Sequence, residues 1–142
     1  MNFALLDASV MIALFDDADV HHERYVAKMG ANLSAATGRR TLVTTWPCVT
    51  EASYVLSPRN HLALLHWLRN GAAEVVGFDI SDLEPMMEWM RRYSEQRKSL
   101  MDLADASLVW LGARLDCSFI LTEDRRDFLR YRLPDGRAFE IL

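Results

Sequence analysis

The sequence predicts an α/β protein, a three-layer α/β/α sandwich built around a mainly parallel central sheet. Two observations lead to this prediction: short apolar runs recur along the chain, and stretches with helical spacing of apolar residues alternate with them. A third is the length of 142 residues, which suits one domain with one hydrophobic core. Since no repeat, linker or low-complexity segment divides the chain, residues 1–142 are predicted to form a single domain.

Strands are predicted where apolar and β-branched residues run together. Residues 3–6 form the first such run, and residues 41–45 form the second. Residues 74–78 and 118–121 predict a third and a fourth strand, and residues 138–142 predict an edge strand. The long connections between the first four runs suit parallel strands, which need a crossover rather than a tight turn.

Helices are predicted in the connections, where apolar side chains recur every three or four residues. The predicted helices cover approximately residues 8–15, 21–36, 47–56, 61–69, 81–97 and 103–115. Asn60 and Asp102 are predicted N-caps, because their side chains can accept hydrogen bonds from the first turn of a helix. Ser81, with Glu84 three residues later, predicts a capping box at the start of another helix.

The composition excludes several classes of protein. No stretch is long and apolar enough to span a bilayer, and the start of the chain lacks the features of a signal peptide, so a cytoplasmic location is expected. Cys48 and Cys117 lie far apart in apolar surroundings, which predicts buried reduced thiols and excludes a Cys-x-x-Cys zinc or redox site. The net charge of −4 predicts that any contact with nucleic acid is local, for example through arginine clusters.

Four acidic residues are predicted to meet at one edge of the sheet. Asp7 ends the first strand, Asp124 follows the fourth, and Glu51 and Asp105 lie near the starts of helices. Parallel strands would bring several of these carboxylates together, at the edge where open α/β sheets bind ligands. Like charges placed so close destabilise one another unless a cation is present. Mg²⁺ or Mn²⁺ fits, because hard cations prefer oxygen ligands and promote phosphodiester hydrolysis.

Most of these acids also have a purely structural interpretation. Asp105 favours the dipole of its helix, which Asp102 can cap, Asp124 suits a turn, and Glu51 suits an exposed helix surface. Asp7 is harder to explain in this way, because a charge that closes an apolar strand rarely serves packing. The prediction of a metal site therefore depends on the whole set.

The segments that carry the four acids resemble the PIN-domain ribonucleases, and among them the VapC-like toxins of toxin–antitoxin pairs. The segments are LLDASV at residues 5–10, VTEA at 49–52, DLADASL at 102–108 and ILTEDRRDF at 120–128. Their order and spacing cover nearly the whole chain. One departure from the family is the stretch 31–40, which makes the segment between the first two acids long.

The resemblance implies a metal-dependent endoribonuclease that leaves 5′-phosphate and 3′-hydroxyl ends, commonly forms a homodimer and is blocked by a cognate antitoxin protein. It implies a Mg²⁺ or Mn²⁺ site formed by four catalytic acids: Asp7, Glu51, Asp105 and Asp124. Ser9 and Thr122 match hydroxyl positions that support the site or contact phosphate, and Asp102 is a further candidate to support it. Arg125 and Arg126 are candidate contacts to RNA phosphates beside the acids.

Two other interpretations are compatible with clustered acids on a small α/β sheet. One is a non-catalytic PIN-like interaction domain, which keeps the fold but has lost the chemistry. The other is a phosphoacceptor receiver domain of the signalling class. A receiver needs an acidic pair after the first strand and a lysine after a late strand, whereas here Asp7 stands alone and no such lysine is present.

Overall fold

The central sheet is parallel between all its neighbouring strands. The computed structural model describes residues 2–32, 39–94 and 100–142. The strands, from β1 to β5, are Phe3–Leu6, Thr41–Thr45, Glu74–Val76, Phe119–Leu121 and Glu140–Ile141. They form one sheet in the order β3-β2-β1-β4-β5. The predicted α/β sheet is therefore confirmed, although its third, fourth and fifth strands are shorter than predicted.

Helices cover both faces of this sheet. In the described residues, the helices α1 to α7 are Ala8–Phe15, His22–Asn32, Trp46–Val55, Pro58–Arg69, Leu83–Ser94, Leu103–Leu115 and Arg125–Phe128. α1 packs against α2, α3 and α4, whereas α5 packs along α6, which lies against β1 and β2. The connections from β1 to β2 to β3 cross the sheet in one direction, and the connection from β3 to β4 returns. Because parallel crossovers are right-handed, their helices lie on opposite faces, as predicted for a three-layer α/β/α sandwich.

The caps of two helices test the prediction directly. Asp102 caps α6 as predicted, since its Oδ1 accepts a hydrogen bond from the Asp105 N–H at 2.8 Å. The predicted cap of α4 at Asn60 is wrong. Ser57 caps this helix instead: its Oγ accepts a hydrogen bond from the Asn60 N–H at 3.2 Å, and Pro58 takes the first helical position, where no N–H donor is needed.

The start of α5 also differs from the capping box predicted at Ser81 and Glu84. A short 3₁₀ helix, Ile80–Asp82, leads into α5, and the Asp79 N–H donates to the Asp82 carboxylate at 2.8 Å. The box forms two residues earlier because Asp79 and Asp82 have the same three-residue spacing and an acceptor that suits it.

Two predicted helix ends, near residues 36 and 97, lie outside the described residues. The same is true of most of the stretch 31–40, which the sequence marks as long for the family.

The hydrophobic core is centred on β1 and α6. Leu5 and Leu6 of β1 and Leu108 and Leu111 of α6 are among the largest fully buried side chains. Both cysteines are buried free thiols, as predicted. In the described residues, none of the helices combines the length and apolar character that a bilayer span requires.

Gly112 allows α6 to pack closely against its neighbours. A Cβ atom at this position would lie 2.8 Å from the carbonyl oxygen of Cys117, 3.1 Å from Leu133 Cδ2 and 3.2 Å from Leu5 Cδ1. The carbonyl oxygen belongs to the backbone, so it cannot rotate away as a side chain would. Any larger residue would therefore move the helix or the segment before β4.

We expect Gly112→Ala to lower the free energy of unfolding by about 1–3 kcal/mol, because the added methyl group overpacks this contact. Gly30→Ala in α2 is the matched control. A Cβ at Gly30 would meet nothing within 4 Å, so alanine there should raise the free energy of unfolding by about 0.5–1 kcal/mol. Urea unfolding followed by circular dichroism measures both changes, and a Gly112→Ala variant as stable as the parent would contradict the close packing.

Candidate active site

The predicted acids lie at the carboxyl edge of the sheet, near the point where the strand order changes direction. Successive strands are added on one side of β1 up to β3, and β4 lies on its other side. Asp7 follows β1 directly, and Asp124 lies in the segment after β4. Glu51 lies in α3, which begins at the end of β2, and Asp105 lies in the first turn of α6. Ligands of open α/β sheets bind at this switch point.

Asp7 is a buried carboxylate held by three hydrogen bonds. The residue is 2% exposed. Its Oδ2 accepts hydrogen bonds from Thr122 Oγ1 at 2.7 Å and Ser9 Oγ at 3.0 Å, and its Oδ1 accepts one from the Ala8 N–H at 2.8 Å. Burial raises the pKa of Asp7 to about 6; the charge of Asp124 adds to this rise, and the hydrogen bonds oppose it.

Asp105 is the second buried acid, and Tyr131 holds it in place. The Tyr131 hydroxyl donates a hydrogen bond to Asp105 Oδ2 at 2.9 Å. Burial and the charges of Asp102 and Asp7 raise the pKa of Asp105 to about 8. The hydrogen bond from Tyr131 lowers this pKa, but by less than either charge raises it. Tyr131 could not be predicted as part of the site, because it belongs to none of the acidic segments and contacts Asp105 only in the folded chain.

Glu51 and Asp124 are the more exposed members of the set. Burial is the main cause that raises the pKa of Glu51 to about 7. The charges of Asp102, Asp7 and Asp124 contribute to the same rise. Burial also raises the pKa of Asp124, together with the charges of Asp127 and Asp102. The charges of other acids of the set therefore raise the pKa values of Asp7, Glu51 and Asp105, and Asp102 adds negative charge to the site besides capping α6.

Among the described residues, no ion pair neutralises any of the four acids. None of the ion pairs in residues 2–32, 39–94 and 100–142 involves Asp7, Glu51, Asp105 or Asp124. In the same ranges, no group of three or more acidic, histidine or cysteine side chains converges closely enough to hold a metal ion. A Mg²⁺ ion needs only one or two carboxylates as direct ligands, because it keeps several waters. A divalent cation would also favour the charged forms that burial and mutual repulsion disfavour.

Two hydroxyl groups join Asp7 to the loop that carries Asp124. Thr122 Oγ1 donates to Asp7 and accepts a hydrogen bond from the Asp124 N–H at 2.9 Å. Ser9 Oγ also donates to Asp7 and accepts a hydrogen bond from the Glu123 N–H at 3.0 Å. Ser9 and Thr122 therefore fix the position of one acidic segment relative to the other, and their role in a metal or phosphate site stays a prediction.

Glu123, which the sequence did not mark, ties the same loop to α2. Its carboxylate forms an ion pair with Arg24 and accepts a hydrogen bond from the Tyr25 hydroxyl. His21 Nε2 lies 3.1 Å from the other carboxylate oxygen. The Tyr25 hydroxyl also lies 3.3 Å from the carbonyl oxygen of Thr122. The loop after β4 is thus held from both sides, by Asp7 and by α2.

Arg125 and Arg126 lie beside the acids, on α7 directly after Asp124. Both are exposed. Their position is compatible with contacts to the phosphates of a bound strand, and the contact itself stays a prediction.

An apolar groove adjoins the acids on the side of α3 and α6. It has a volume of about 780 Å³, and Glu51 and Asp102 form part of its mainly apolar lining. Trp46 and Tyr54 also line it and are 55% and 93% exposed. The acids therefore have an open, aromatic groove on one side. On the other side, α2 contacts the loop after β4.

The fold and the site together define a class of protein, the parallel α/β/α sandwiches with carboxylates at the switch point of the sheet. A family model described as "PIN domain" matches residues 4–133. The chain belongs to the PIN-domain family, as its acidic segments predict.

Two relatives extend this result. Ribonuclease VapC26 of Mycobacterium tuberculosis is 29% identical over 142 residues, which cover 97% of this chain and 98% of that protein. The crystal structure of Mycobacterium tuberculosis VapC20, described as a Sarcin–Ricin loop cleaving toxin, matches with a TM-score of 0.67 at 18% identity. This match covers 86% of the present chain and 90% of the VapC20 chain, and it shows the shared fold. The predicted similarity to VapC-like toxins is confirmed.

The strand order contradicts the receiver-domain interpretation. Receiver domains have the order 2-1-3-4-5, whereas this sheet has the order β3-β2-β1-β4-β5. The acids of the two folds therefore lie on strands in different positions.

The metal-free protein is expected to lose stability as the pH rises from about 4 to about 8. The folded-state pKa values of Asp7, Glu51 and Asp105, about 6, 7 and 8, lie above the values near 4 of carboxyl groups in an unfolded chain. The folded protein therefore binds more protons over this range. Each contribution to stability is complete below the unfolded pKa and is lost as the pH rises through the folded pKa. Urea unfolding in EDTA at pH 5 and pH 8 measures the loss.

Asp105→Asn should remove part of this loss, because asparagine keeps the acceptor for Tyr131 without the charge. We expect it to raise the free energy of unfolding in EDTA at pH 8 by on the order of 2 kcal/mol. Asp17→Asn, the same change at an exposed position between α1 and α2, is the control and should change it by less than about 0.5 kcal/mol. A metal-free parent protein that is as stable at pH 8 as at pH 5 would contradict the raised pKa values of the buried acids.

Proposed function

We propose that this chain is a divalent-metal-dependent endoribonuclease, the toxin of a toxin–antitoxin pair, with residues 1–142 acting as one domain. The observation that carries the proposal is the set of mutually repelling carboxylates at the switch point of the sheet. Such a set suits a divalent cation, and such cations promote phosphodiester hydrolysis. The curated relative supports RNA as the substrate, because VapC26 is named a ribonuclease.

Asp7 and Asp105 are the proposed main ligands of Mg²⁺ or Mn²⁺, directly or through water. They are the two buried acids of the set, and each is held by hydrogen bonds from hydroxyl groups. Asp124 would complete the site or hold a second ion, and Asp102 would support it through its charge. When bound, the ion would polarise the scissile phosphate and lower the pKa of an attacking water.

Glu51 is the proposed further ligand, or the base that takes the proton of the attacking water. It is more exposed than Asp7 and Asp105, so that water and a phosphate can reach it. Without a bound ion its pKa is about 7, and a cation nearby would favour the charged form that accepts a proton. Asp7 suits this role less well, since both of its carboxylate oxygens already accept hydrogen bonds from the protein.

The proposed partners are an RNA strand, a cognate antitoxin and a second copy of the chain, all in the cytoplasm. Arg125 and Arg126 are the proposed phosphate contacts beside the acids. Exposed apolar side chains of α3, including Trp46, Tyr54 and Val55, support a protein interface close to the site. An antitoxin bound on this side would lie next to Glu51 and could block access of RNA to the acids.

We expect Asp7→Asn and Asp105→Asn each to reduce RNA cleavage at least about a hundredfold, because each removes a charge that holds the cation. Cleavage of a 5′-labelled RNA in Mg²⁺ or Mn²⁺ measures the loss, and EDTA should abolish the activity of the parent. Asp17→Asn is the matched control and should cleave at the parent rate. Circular dichroism should show that all three variants keep the fold.

Unchanged cleavage by the Asp7→Asn, Asp105→Asn double variant would overturn the assignment of these acids. A parent protein that shows neither EDTA-sensitive cleavage nor a rise in melting temperature with Mn²⁺ or Mg²⁺ would overturn the proposed function. That second result would favour the non-catalytic interaction domain.

Thr122→Val should weaken metal affinity by roughly 10–100-fold, because it removes the hydroxyl that orients Asp7 while keeping the shape of the side chain. Thr122→Ser, which keeps the hydroxyl, should retain most of the affinity. The Mn²⁺ concentration at half-maximal cleavage and the Mn²⁺-dependent thermal shift measure the effect. Equal metal affinities of the valine and serine variants would show that the hydroxyl does not support the site.

A further inference from the structure

α2 lies directly against the loop that carries Asp124. The Tyr25 hydroxyl reaches Thr122 and Glu123, and Arg24 forms an ion pair with Glu123. The side chains next to Tyr25 on α2 therefore lie beside the proposed active site, although the acidic segments of the sequence do not include them.

Three cationic side chains gather at this contact. Arg24 and Lys28 are one helical turn apart on α2, and their charged groups lie 5.0 and 5.7 Å from the centre of the Tyr25 ring. Arg125 of α7 is close enough that its charge, after burial and the charge of Arg24, lowers the pKa of Lys28. Arg24, Lys28 and Arg125 are named the α2 patch below.

The α2 patch contains more positive charge than its protein contacts neutralise. In the described residues, Glu123 is paired with Arg24, and no ion pair involves Lys28 or Arg125. The side chain of Arg24 remains 54% exposed despite that pair. Two of the three cations of the patch therefore lack an ion-pair partner among the described residues, on a chain whose net charge is −4.

We propose that the α2 patch binds the phosphates of the RNA strand next to the one that is cleaved, with Lys28 as the contact that the sequence motifs do not reveal. This proposal rests on the proposed ribonuclease function. The acids repel a polyanion, so a strand that lies across them needs cations close by. Guanidinium and ammonium groups bind phosphate oxygens through charge-assisted hydrogen bonds, and the patch places both types near the loop that carries Asp124.

The experiment measures binding of a 5′-fluorescein-labelled 12-nucleotide single-stranded oligouridylate by anisotropy, between 50 and 300 mM KCl. Asp105→Asn is the common background, so that the oligonucleotide is not cleaved. For single strands, each lost phosphate contact reduces the slope of log K against log salt concentration by about 0.7. We expect this change for Lys28→Gln, with weaker binding at low salt, and little change for Lys28→Arg.

Arg59→Gln is the matched control, because it removes the same charge at an exposed position beside Phe15, at the far end of α1 from Asp7. It should leave the slope unchanged. With Asp105 restored, Lys28→Gln should raise the KM for RNA several-fold and leave kcat within about twofold, because Lys28 binds the strand without touching the scissile phosphate.

Three results would overturn the proposal. One is an unchanged slope for Lys28→Gln, when the parent protein cleaves RNA in the presence of metal. This result would reject the role of the α2 patch in RNA binding and leave the ribonuclease function intact. Another is an equal change of slope for Arg59→Gln, which would assign the effect to overall charge. The third is unchanged RNA binding by Lys28→Gln together with weakened antitoxin binding, which would assign the patch to the protein partner.

Discussion

The burial of several carboxylates at the carboxyl edge of one parallel sheet is the constraint on which the rest of this structure depends. The order β3-β2-β1-β4-β5 places β1 and β4 side by side at the switch point, so Asp7 and the segment before Asp124 meet there. The surrounding residues act to hold these charges in place. Hydroxyl groups of Ser9, Thr122 and Tyr131 donate hydrogen bonds to the buried acids. These bonds replace the hydrogen bonds from water that the acids lose on burial.

This arrangement makes the acidic site a cost to the stability of the fold. The apolar centre of the protein, formed by β1 and α6, lies directly beneath carboxylates that repel one another. The core must therefore offset an electrostatic cost that a divalent cation would relieve. The two sides of the site also differ: α3 and α6 present an apolar, aromatic groove, and α2 and α7 present cations. The proposed RNA strand and the proposed protein partner would therefore contact chemically distinct surfaces beside the acids.

Local sequence rules predicted those parts of the structure that local physics determines. An apolar run that ends in a charge identified β1 and Asp7, and the N-cap rule identified Asp102. The same rule misplaced the start of α4, because Ser57 and Asn60 can both cap a helix and only the position of Pro58 decides between them. Contacts between distant segments could not be predicted. Tyr131 reaches Asp105, and Arg24 reaches Glu123, only because the sheet brings their elements together.

The close packing at Gly112 has a consequence for the geometry of the acids. α6 is a rigid rod with Asp105 in its first turn and Gly112 about two turns further on, a separation of roughly 10 Å. The close contact of Gly112 with the Cys117 carbonyl oxygen fixes how α6 is tilted and how closely it packs on the sheet. Since Asp105 lies at the other end of the same helix, its position depends on this contact. Gly112, a neutral residue that touches neither acid, therefore helps to set the position of Asp105 relative to Asp7. Variation in the core of this fold can therefore shift the geometry of the acids while every acidic residue stays unchanged.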